Sequence, residues 1–518
     1  MFTTLLNRFI DRFVPKSQVR DRVSNSQPWV TAELRRLKTK KKAAFSSFFK
    51  FRTLPLRDYY FRMNHDYKRL SRRCYNNYQH RMQQKLNSEP KKFWKFVNEL
   101  RKESGLPSIM KLGDEEADNE VDVCRLFATK FSSVFSNETI SGKQVSAAAN
   151  NVPSSERFIS SIDVNENMVL AAAKKLKHSS NPGPDGIPAT LLKNCIGGLI
   201  TPLLHLFRLS LASGMFPTGW KRAFLFPVHK KGDRSNVDNY RGISALCAIS
   251  KLFELVVYEP IYSHCRHVLA DEQHGFLPKR STTSNLLHFT GFVVDSFVDR
   301  SQTDAIYTDL SAAFDKINHE IAVAKLEKLG FHGNLLRWLF SYLTDRSLTV
   351  KIGNALSAVI YAKSGIAQGS HLGPLVFLFY FNDVNFSLNC PRLAYADDLK
   401  LFSRVDSIAD TAALQQQLDN FAQWCKLNRM LLNPAKCSVV TFSRKHFPVL
   451  SDYHIDGIQI PRAEYVKDLG VTLDKQLTFK LHISHIVSKA SRQLGLLFRM
   501  TKGFTSIQCL KTLYCSLV

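Results

Sequence analysis

The body of this chain is predicted to adopt an α+β fold, and three observations predict it. Between residues 156 and 445, apolar stretches of strand length alternate with longer runs of helical periodicity. Glycine and proline punctuate the alternation. They are densest at Asn181-Pro182-Gly183-Pro184-Asp185-Gly186-Ile187-Pro188, which marks a turn ahead of a helix. Hydrophobic residues make up 44% of the 518 and aromatics 11%, enough for a large core and about two to four structural units.

Residues 1–105 read as a basic helical segment. Leu5, Leu6, Phe9, Ile10 and Phe13 suit one face of an opening helix; Arg8, Asp11 and Arg12 interrupt it, so it is no secretory signal. The run Arg35-Arg36-Leu37-Lys38-Thr39-Lys40-Lys41-Lys42 is followed by Phe45, Phe48, Phe49, Phe51, Tyr59, Tyr60 and Phe61, then by Lys68-Arg69 and Arg72-Arg73. Residues 1–100 hold 24 Lys+Arg against 7 Asp+Glu, most of the chain's formal charge of +27. Such an excess calls for a polyanionic partner. Interleaved cations and rings suit nucleic acid, the cations for phosphates and the rings for bases. A pair of ordinary amphipathic helices with solvated charged faces would have the same composition. The acidic stretch Gly113-Asp114-Glu115-Glu116-Ala117-Asp118-Asn119-Glu120 and the Ser/Asn/Ala-rich sequence after it read as a linker over 106–155.

Phe224-Leu225-Phe226-Pro227-Val228-His229-Lys230-Lys231-Gly232-Asp233 looks like a strand entering a basic hairpin, with Asn239-Tyr240-Arg241-Gly242-Ile243-Ser244 as its return. Lys230, Lys231 and Arg241 could converge there on a triphosphate, arginine gripping two oxygens at once. Taken singly, such residues are more often surface charges. Asp309 closes the apolar run Ala305-Ile306-Tyr307-Thr308, and Ser311-Ala312-Ala313-Phe314-Asp315-Lys316 starts a helix. Phe314 could stack beneath an incoming sugar and collide with a 2′-hydroxyl, although a core phenylalanine is the commoner explanation of any single Phe. Ser364-Gly365-Ile366-Ala367-Gln368-Gly369-Ser370 is a flexible loop whose glycines permit close backbone approach to a nucleotide or template. It enters an apolar helix from Leu372 to Val384. Leu414, Leu418, Phe421, Ala422 and Cys425 share one face of an amphipathic helix ending near Asn433-Pro434-Ala435-Lys436. Lys436 could reach a leaving pyrophosphate as proton donor or charge partner. A strand from Ser438 to Phe442 follows, and beyond Leu469-Gly470-Val471-Thr472-Leu473-Asp474 comes a basic helix.

The chemistry concentrates at Leu393-Ala394-Tyr395-Ala396-Asp397-Asp398-Leu399-Lys400-Leu401-Phe402, two short strands meeting at a tight turn. An acidic turn by itself is ordinary. Here both flanks are apolar, and adjacent carboxylates repel until a proton or a cation offsets their charge. Magnesium, a hard ion that prefers oxygen ligands, is the natural partner, and Asp309 is the best second supplier. Two magnesium ions on Asp309, Asp397 and Asp398 fit in-line phosphoryl transfer. The ten scattered cysteines form no CxxC pair, so neither a zinc knuckle nor a disulfide framework is indicated, and an intracellular protein, nuclear or cytoplasmic, is expected. The longest apolar run, Leu372 to Phe381, is too short to span a bilayer, and no membrane partner is expected.

In this order the blocks resemble the reverse transcriptase of a non-LTR retrotransposon, and are most similar to the jockey group. The likeness covers roughly residues 155 to 485. It rests on Pro182-Gly183-Pro184-Asp185-Gly186, Asn239 to Ser244, Gln273-His274-Gly275-Phe276 with Ser281-Thr282-Thr283, and Asp309 to Asp315. It continues through Gln368-Gly369-Ser370-His371-Leu372-Gly373-Pro374, Tyr395-Ala396-Asp397-Asp398 and Leu469-Gly470-Val471.

The resemblance implies a right-hand polymerase, with fingers and palm over 156–445 and a truncated start of a thumb over 446–518. It makes Asp309, Asp397 and Asp398 the palm ligands of two magnesium ions, with manganese as a substitute. Lys230 or Lys231 and Arg241 become fingers residues over the triphosphate, Phe314 the sugar gate, and Gln368 and Gly369 part of the nucleotide pocket. Residues 1–105, with Gln27-Pro28-Trp29, resemble the connector ahead of the polymerase. The implied partners are an RNA template, a DNA primer or target DNA, and dNTPs. Such elements usually carry an apurinic-type endonuclease upstream, which these residues do not provide, so a truncated copy or a partial gene is expected. RNA-directed DNA polymerisation is the leading expectation; a non-catalytic nucleic-acid-binding remnant is the alternative.

Overall fold

The computed structural model describes residues 2–14, 27–101, 105–136 and 140–518, so 15–26 of the basic segment lie outside the described residues. The contacts divide into two units, residues 1–13 with 106–479 and residues 14–105 with 480–518.

The larger unit is organised around Gln302–Tyr307, a strand buried along almost its whole length. Ala305 and Ile306 supply its apolar part. Its polar residues tolerate burial because they are partnered: the Tyr453 hydroxyl donates to Asp304 at 2.9 Å, and Gln302 donates to the Val449 carbonyl at 2.7 Å. Asp398–Val405 pairs antiparallel on one side of this strand and Ser438–Phe442 on the other, with Arg392–Tyr395 outermost beside Asp398–Val405. A second sheet has Arg222–His229 at its centre, antiparallel to Tyr240–Leu246 and parallel to Arg346–Ile352. The hairpin expected at Phe224–Asp233 therefore forms, closed by the Lys230 amide donating to the Asn239 carbonyl at 2.8 Å.

Helices fill the space behind the sheets. Phe207, Phe216, Trp220, Phe253, Trp338 and Tyr342 meet in one aromatic core, with Phe207 and Phe253 stacked at 4.2 Å. The apolar helix expected from Leu372 runs over Gly373–Phe381 and tightens into a 3₁₀ turn over Asn382–Phe386. Ile408–Leu427 buries the face containing Leu414, Leu418, Phe421, Ala422 and Cys425, and ends at Asn428, before the proline. Ile196–Ser213 is long and apolar enough to cross a membrane by length and composition, while its Leu203, Phe207 and Leu211 pack into the protein core.

Two expectations are corrected. Residues 106–155 are not a linker: Glu120–Ser132 is a helix whose Val123, Leu126, Phe127 and Phe131 pack with Leu225, Tyr240 and Val350 of the second sheet. Of the acidic stretch, Glu115 and Glu116 lie on the short strand Glu115–Ala117, antiparallel to Met110–Leu112, while Asn119 caps the helix and Glu120 and Asp122 complement its dipole. In the opening helix Phe2–Phe13, Phe2, Leu6 and Ile10 pack against the core while Leu5, Phe9 and Phe13 are exposed. A helix with rings on several sides can bury only the side it turns inward.

The smaller unit joins Ala32–Phe51, Leu54–Ser88 and Pro90–Arg101 to the helices Lys480–Met500 and Ile507–Leu517. Thr31 caps the first helix by accepting from the Leu34 amide, and Arg52, in the left-handed region with φ 49°, ends it. Phe93, Val97, Leu497, Met500, Cys509 and Leu513 form the core of this unit. Gln83, from the basic helices, accepts from the Thr505 and Ser506 amides at 2.9 Å each and so fastens the last helix. The basic segment and residues 480–518 thus share one core, whereas 446–479 belong to the larger unit, so the division into 1–105 and 446–518 does not follow the packing.

Candidate active site

Asp309 leaves the buried strand Gln302–Tyr307 beside the acid-bearing hairpin because Thr308 fastens the two together. Its amide and its hydroxyl both donate to the Leu399 carbonyl, at 3.0 and 2.8 Å. The hairpin turns in two residues, Ala396 and Asp397, between the paired Tyr395 and Asp398. Ala396 is held at φ 58°, a region that residues with a side chain seldom occupy. Gln273 supports it there. Its amide oxygen accepts from the Ala396 amide at 2.9 Å and from the Gly275 amide at 2.7 Å, while its nitrogen donates to the Ala396 carbonyl at 3.2 Å. Gly275 lies so near that an added Cβ would stand 2.3 Å from the Ala396 nitrogen, so no other residue fits.

The electrostatics join the three acids. Asp398 reaches the solvent of the cavity, yet the surrounding protein, followed by the charges of Asp397 and Asp309, pushes its carboxyl up to about 6. Asp397 is also raised, by burial first, with Asp309 adding to the effect and Arg241 and Lys230 opposing it. Asp309 itself meets the Lys436 ammonium at 3.3 Å.

These residues open onto one cavity of about 850 Å³. Asp309, Asp397, Asp398, Lys436, Lys230, Arg241, Phe314, Gln368 and Gly369 all line it. Lys231 does not; it is exposed in the bend beyond the strand. Among the described residues, no three His, Cys, Asp or Glu side chains are gathered as a ready cage for a metal ion. Asp309 is turned to Lys436.

The sequence pattern of the family described as reverse transcriptase (RNA-dependent DNA polymerase) matches residues 228–473. Residues 228–473 are therefore similar to a reverse transcriptase domain. The jockey-like resemblance holds across curated relatives. The chain is 31% identical over 328 residues to "Probable RNA-directed DNA polymerase from transposon BS" of Drosophila melanogaster, covering 61% of this chain and 36% of that protein. It is 27% identical over 379 residues to "RNA-directed DNA polymerase from mobile element jockey" of the same species, covering 70% and 40%. To "Probable RNA-directed DNA polymerase from transposon X-element" it is 28% identical, covering 60% and 35%. The chain therefore matches between about a third and two-fifths of these relatives' length.

Within residues 228–473, the loop glycines act differently from the expectation. An added Cβ at Gly369 (φ 117°) would lie 2.6 Å from the Ser244 carbonyl, and one at Gly365 (φ 83°) would lie 2.7 Å from the Asp315 backbone. The close approach is to the chain's own backbone. Gln368 is committed as well: its amide nitrogen donates to both Asp315 oxygens, at 3.1 and 2.9 Å. Burial pushes the Asp315 carboxyl up to about 6, against the Gln368 hydrogen bonds and the nearby Arg241. Phe314 is stacked on Phe377 at 4.5 Å and meets Phe276 edge-on at 5.9 Å, so its ring is fixed at the cavity wall. A smaller cavity of about 180 Å³ shares Asp309, Asp398 and Lys436 and is walled by Tyr307 and by the buried ion pair of Lys400 and Asp468. Gln273, Asp315 and Asp468 had no assigned role from sequence. Gln273 and Asp315 lie inside family blocks, but their partners come from 123 and 53 residues away.

Proposed function

We propose that the chain is an RNA-directed DNA polymerase, in which a primer 3′-hydroxyl attacks the α-phosphate of a dNTP on an RNA or DNA template and pyrophosphate leaves. The observation behind this reading is a single cavity in which Asp309, Asp397 and Asp398 lie with the cations Lys230 and Arg241 and the ring of Phe314. In the right-hand arrangement it implies, the four-stranded sheet is the palm, and the hairpin of Arg222–His229 and Tyr240–Leu246 belongs to the fingers.

The donor set suits hard cations. All three groups are carboxylates, and Asp397 and Asp309 both push the Asp398 carboxyl upward, a field that positive charge would relieve. Two magnesium ions bound there would lower the pKa of the primer hydroxyl and stabilise the leaving oxygen. The chain's own residues bind and orient. Arg241 offers a planar fork to two phosphate oxygens, and Lys230 a compact charge beside it. Lys436 supplies a proton or a charge where pyrophosphate departs. Phe314, pinned by Phe377, excludes a 2′-hydroxyl by bulk.

Primer extension on a heteropolymeric RNA template with dNTPs and Mg²⁺ tests the reading, beside an Asp397→Ala chain. Extension by the unaltered chain, lost in the variant, is the expected result. Equal extension by both would sink the assignment of Asp397. No extension by either, with salt-sensitive RNA binding retained, would favour a non-catalytic nucleic-acid-binding remnant.

A further inference from the structure

We propose that the helical hairpin of Ala32–Phe51 and Leu54–Ser88 forms a binding surface for single-stranded nucleic acid, its tip rings stacking on bases and its exposed cations taking phosphates. The surface shares no residue with the polymerase cavity, and it stands whether or not the chain polymerises.

The first observation is at the tip. Phe49, Phe51 and Phe61 are 63%, 60% and 56% exposed, a cost that a folded chain seldom sustains at three neighbouring rings without a use for them. They are ordered. Phe45 stacks on Phe49 at 6.1 Å and meets Tyr60 at 5.2 Å, and Tyr60 meets Phe61 at 5.6 Å. Rings already held by one another lose little freedom when a base stacks on them. Two of these outer rings also have a cation beside them, Arg52 5.3 Å from Phe49 and Lys50 5.2 Å from Phe51.

The second observation is a stripe along the long helix. His65, Lys68, Arg69, Arg72, Arg73 and Asn76 are each three or four residues from another of the set and are all exposed, so they share one face. Phe61 falls on the same line, one turn before His65. At 1.5 Å per residue, the line from Phe61 to Asn76 is about 22 Å long. Asp66 is the acid at its border, and it pairs with Arg69 at 3.2 Å. Lys68, Arg72 and Arg73 have no carboxylate partner among the described residues.

The charge selects the partner class. A protein surface docking its apolar side on the tip would strip water from Lys50 and Arg52 without pairing them, whereas a polyanion pairs cations and rings together. The rings select the strandedness. In a duplex the base faces are already stacked and cannot reach an aromatic side chain; in a single strand they can.

Fluorescence anisotropy of the full chain, without dNTPs, on an oligouridine strand and on an RNA duplex of equal length tests this. The oligouridine is expected to bind more tightly. Replacing the rings together (Phe49→Leu, Phe51→Leu, Phe61→Leu) keeps apolar bulk on exposed positions but removes stacking. It should weaken oligouridine binding roughly tenfold or more while leaving duplex binding and the salt slope unchanged. Lys68→Gln, Arg72→Gln and Arg73→Gln together should lower the slope of log affinity against log salt by about 2, at about 0.7 per lost phosphate contact. Tighter duplex binding, unchanged oligouridine affinity in the ring variant, or an unchanged slope in the cation variant would each overturn the proposal. Because binding is read without dNTPs, a failure of primer extension would defeat the polymerase reading and leave this one intact.

Discussion

Gln273 shows how much of the candidate site depends on a residue that does no chemistry. Its side chain grips both polar atoms of Ala396, whose positive φ sets the direction of Asp397 and Asp398. Gln273→Met keeps the volume and loses every hydrogen bond. If polymerisation is confirmed, kcat is expected to fall roughly 10- to 100-fold with KM for dNTP nearly unchanged, since the acids are misaimed while the triphosphate contacts remain. A matching rise in KM alone would refute the positioning role. Phe314→Val should raise ribonucleotide use roughly tenfold or more relative to dNTP, and an unchanged ratio in competition assays would remove the gate role. Asp315 predicts a pH dependence of stability. Its folded pKa, raised from 3.8 to about 6 by burial, means that the folded state binds the extra proton. Stability from this group is full below about 4 and lost as pH rises through about 6. Asp315→Asn removes that dependence, so between pH 4 and 7 the variant should gain on the unaltered chain by about 2 kcal/mol, within the ~3 kcal/mol bound set by the shift. Urea midpoints of both chains across that range decide it.

At the scale of elements, the apolar helix Gly373–Phe381 is fastened at both ends by charge. Buried Glu254 accepts from the His371 and Leu372 amides, supplying a carboxylate where the helix dipole is positive. At the other end Lys325, fully buried, donates to the Tyr380 carbonyl and to Asp383, each at 2.7 Å, and Trp424 donates to the same carboxylate at 3.1 Å. Burial pulls the Lys325 ammonium down and the Asp383 carboxyl up, and their mutual attraction opposes both shifts. Lys325→Met leaves a buried carboxylate without its cation and should cost about 3–5 kcal/mol. Adding Asp383→Asn removes the stranded charge, keeps an acceptor for Trp424, and should recover part of that loss in denaturant unfolding. Similar logic explains Glu120–Ser132. Its acidic first turn resembles linker composition until Phe127 and Phe131 are seen against the second sheet.

At the scale of the molecule, the basic helices are not self-sufficient. Phe93 and Val97 are buried against Leu497, Met500 and Leu513, which arrive from the far end of the chain. Leu513→Ala should cost this smaller unit about 2–5 kcal/mol through the cavity it leaves. Limited proteolysis would then cut within residues 27–101 sooner while 106–479 resists; equal protection would contradict a shared core. The same packing gives a unit rich in cations and exposed rings an apolar core of its own.

Local sequence by itself determined much of the architecture. The strand Ser438–Phe442, the two-residue turn at Ala396 and Asp397, and the buried face of Ile408–Leu427 all follow from periodicities of two or 3.6 residues, which are properties of the backbone. The acids were legible for a related reason: two carboxylates between apolar strands need an unusual environment. Only the tertiary structure decided which of Lys230 and Lys231 lines the cavity, that Gln368 is bound to Asp315, and that Gly369 approaches Ser244. It also decided the clamp of Gln273, the ion pair of Lys325 and Asp383, and the union of 14–105 with 480–518. These depend on which distant segments meet, and that is set by the packing of whole elements against one another, a choice no local period encodes.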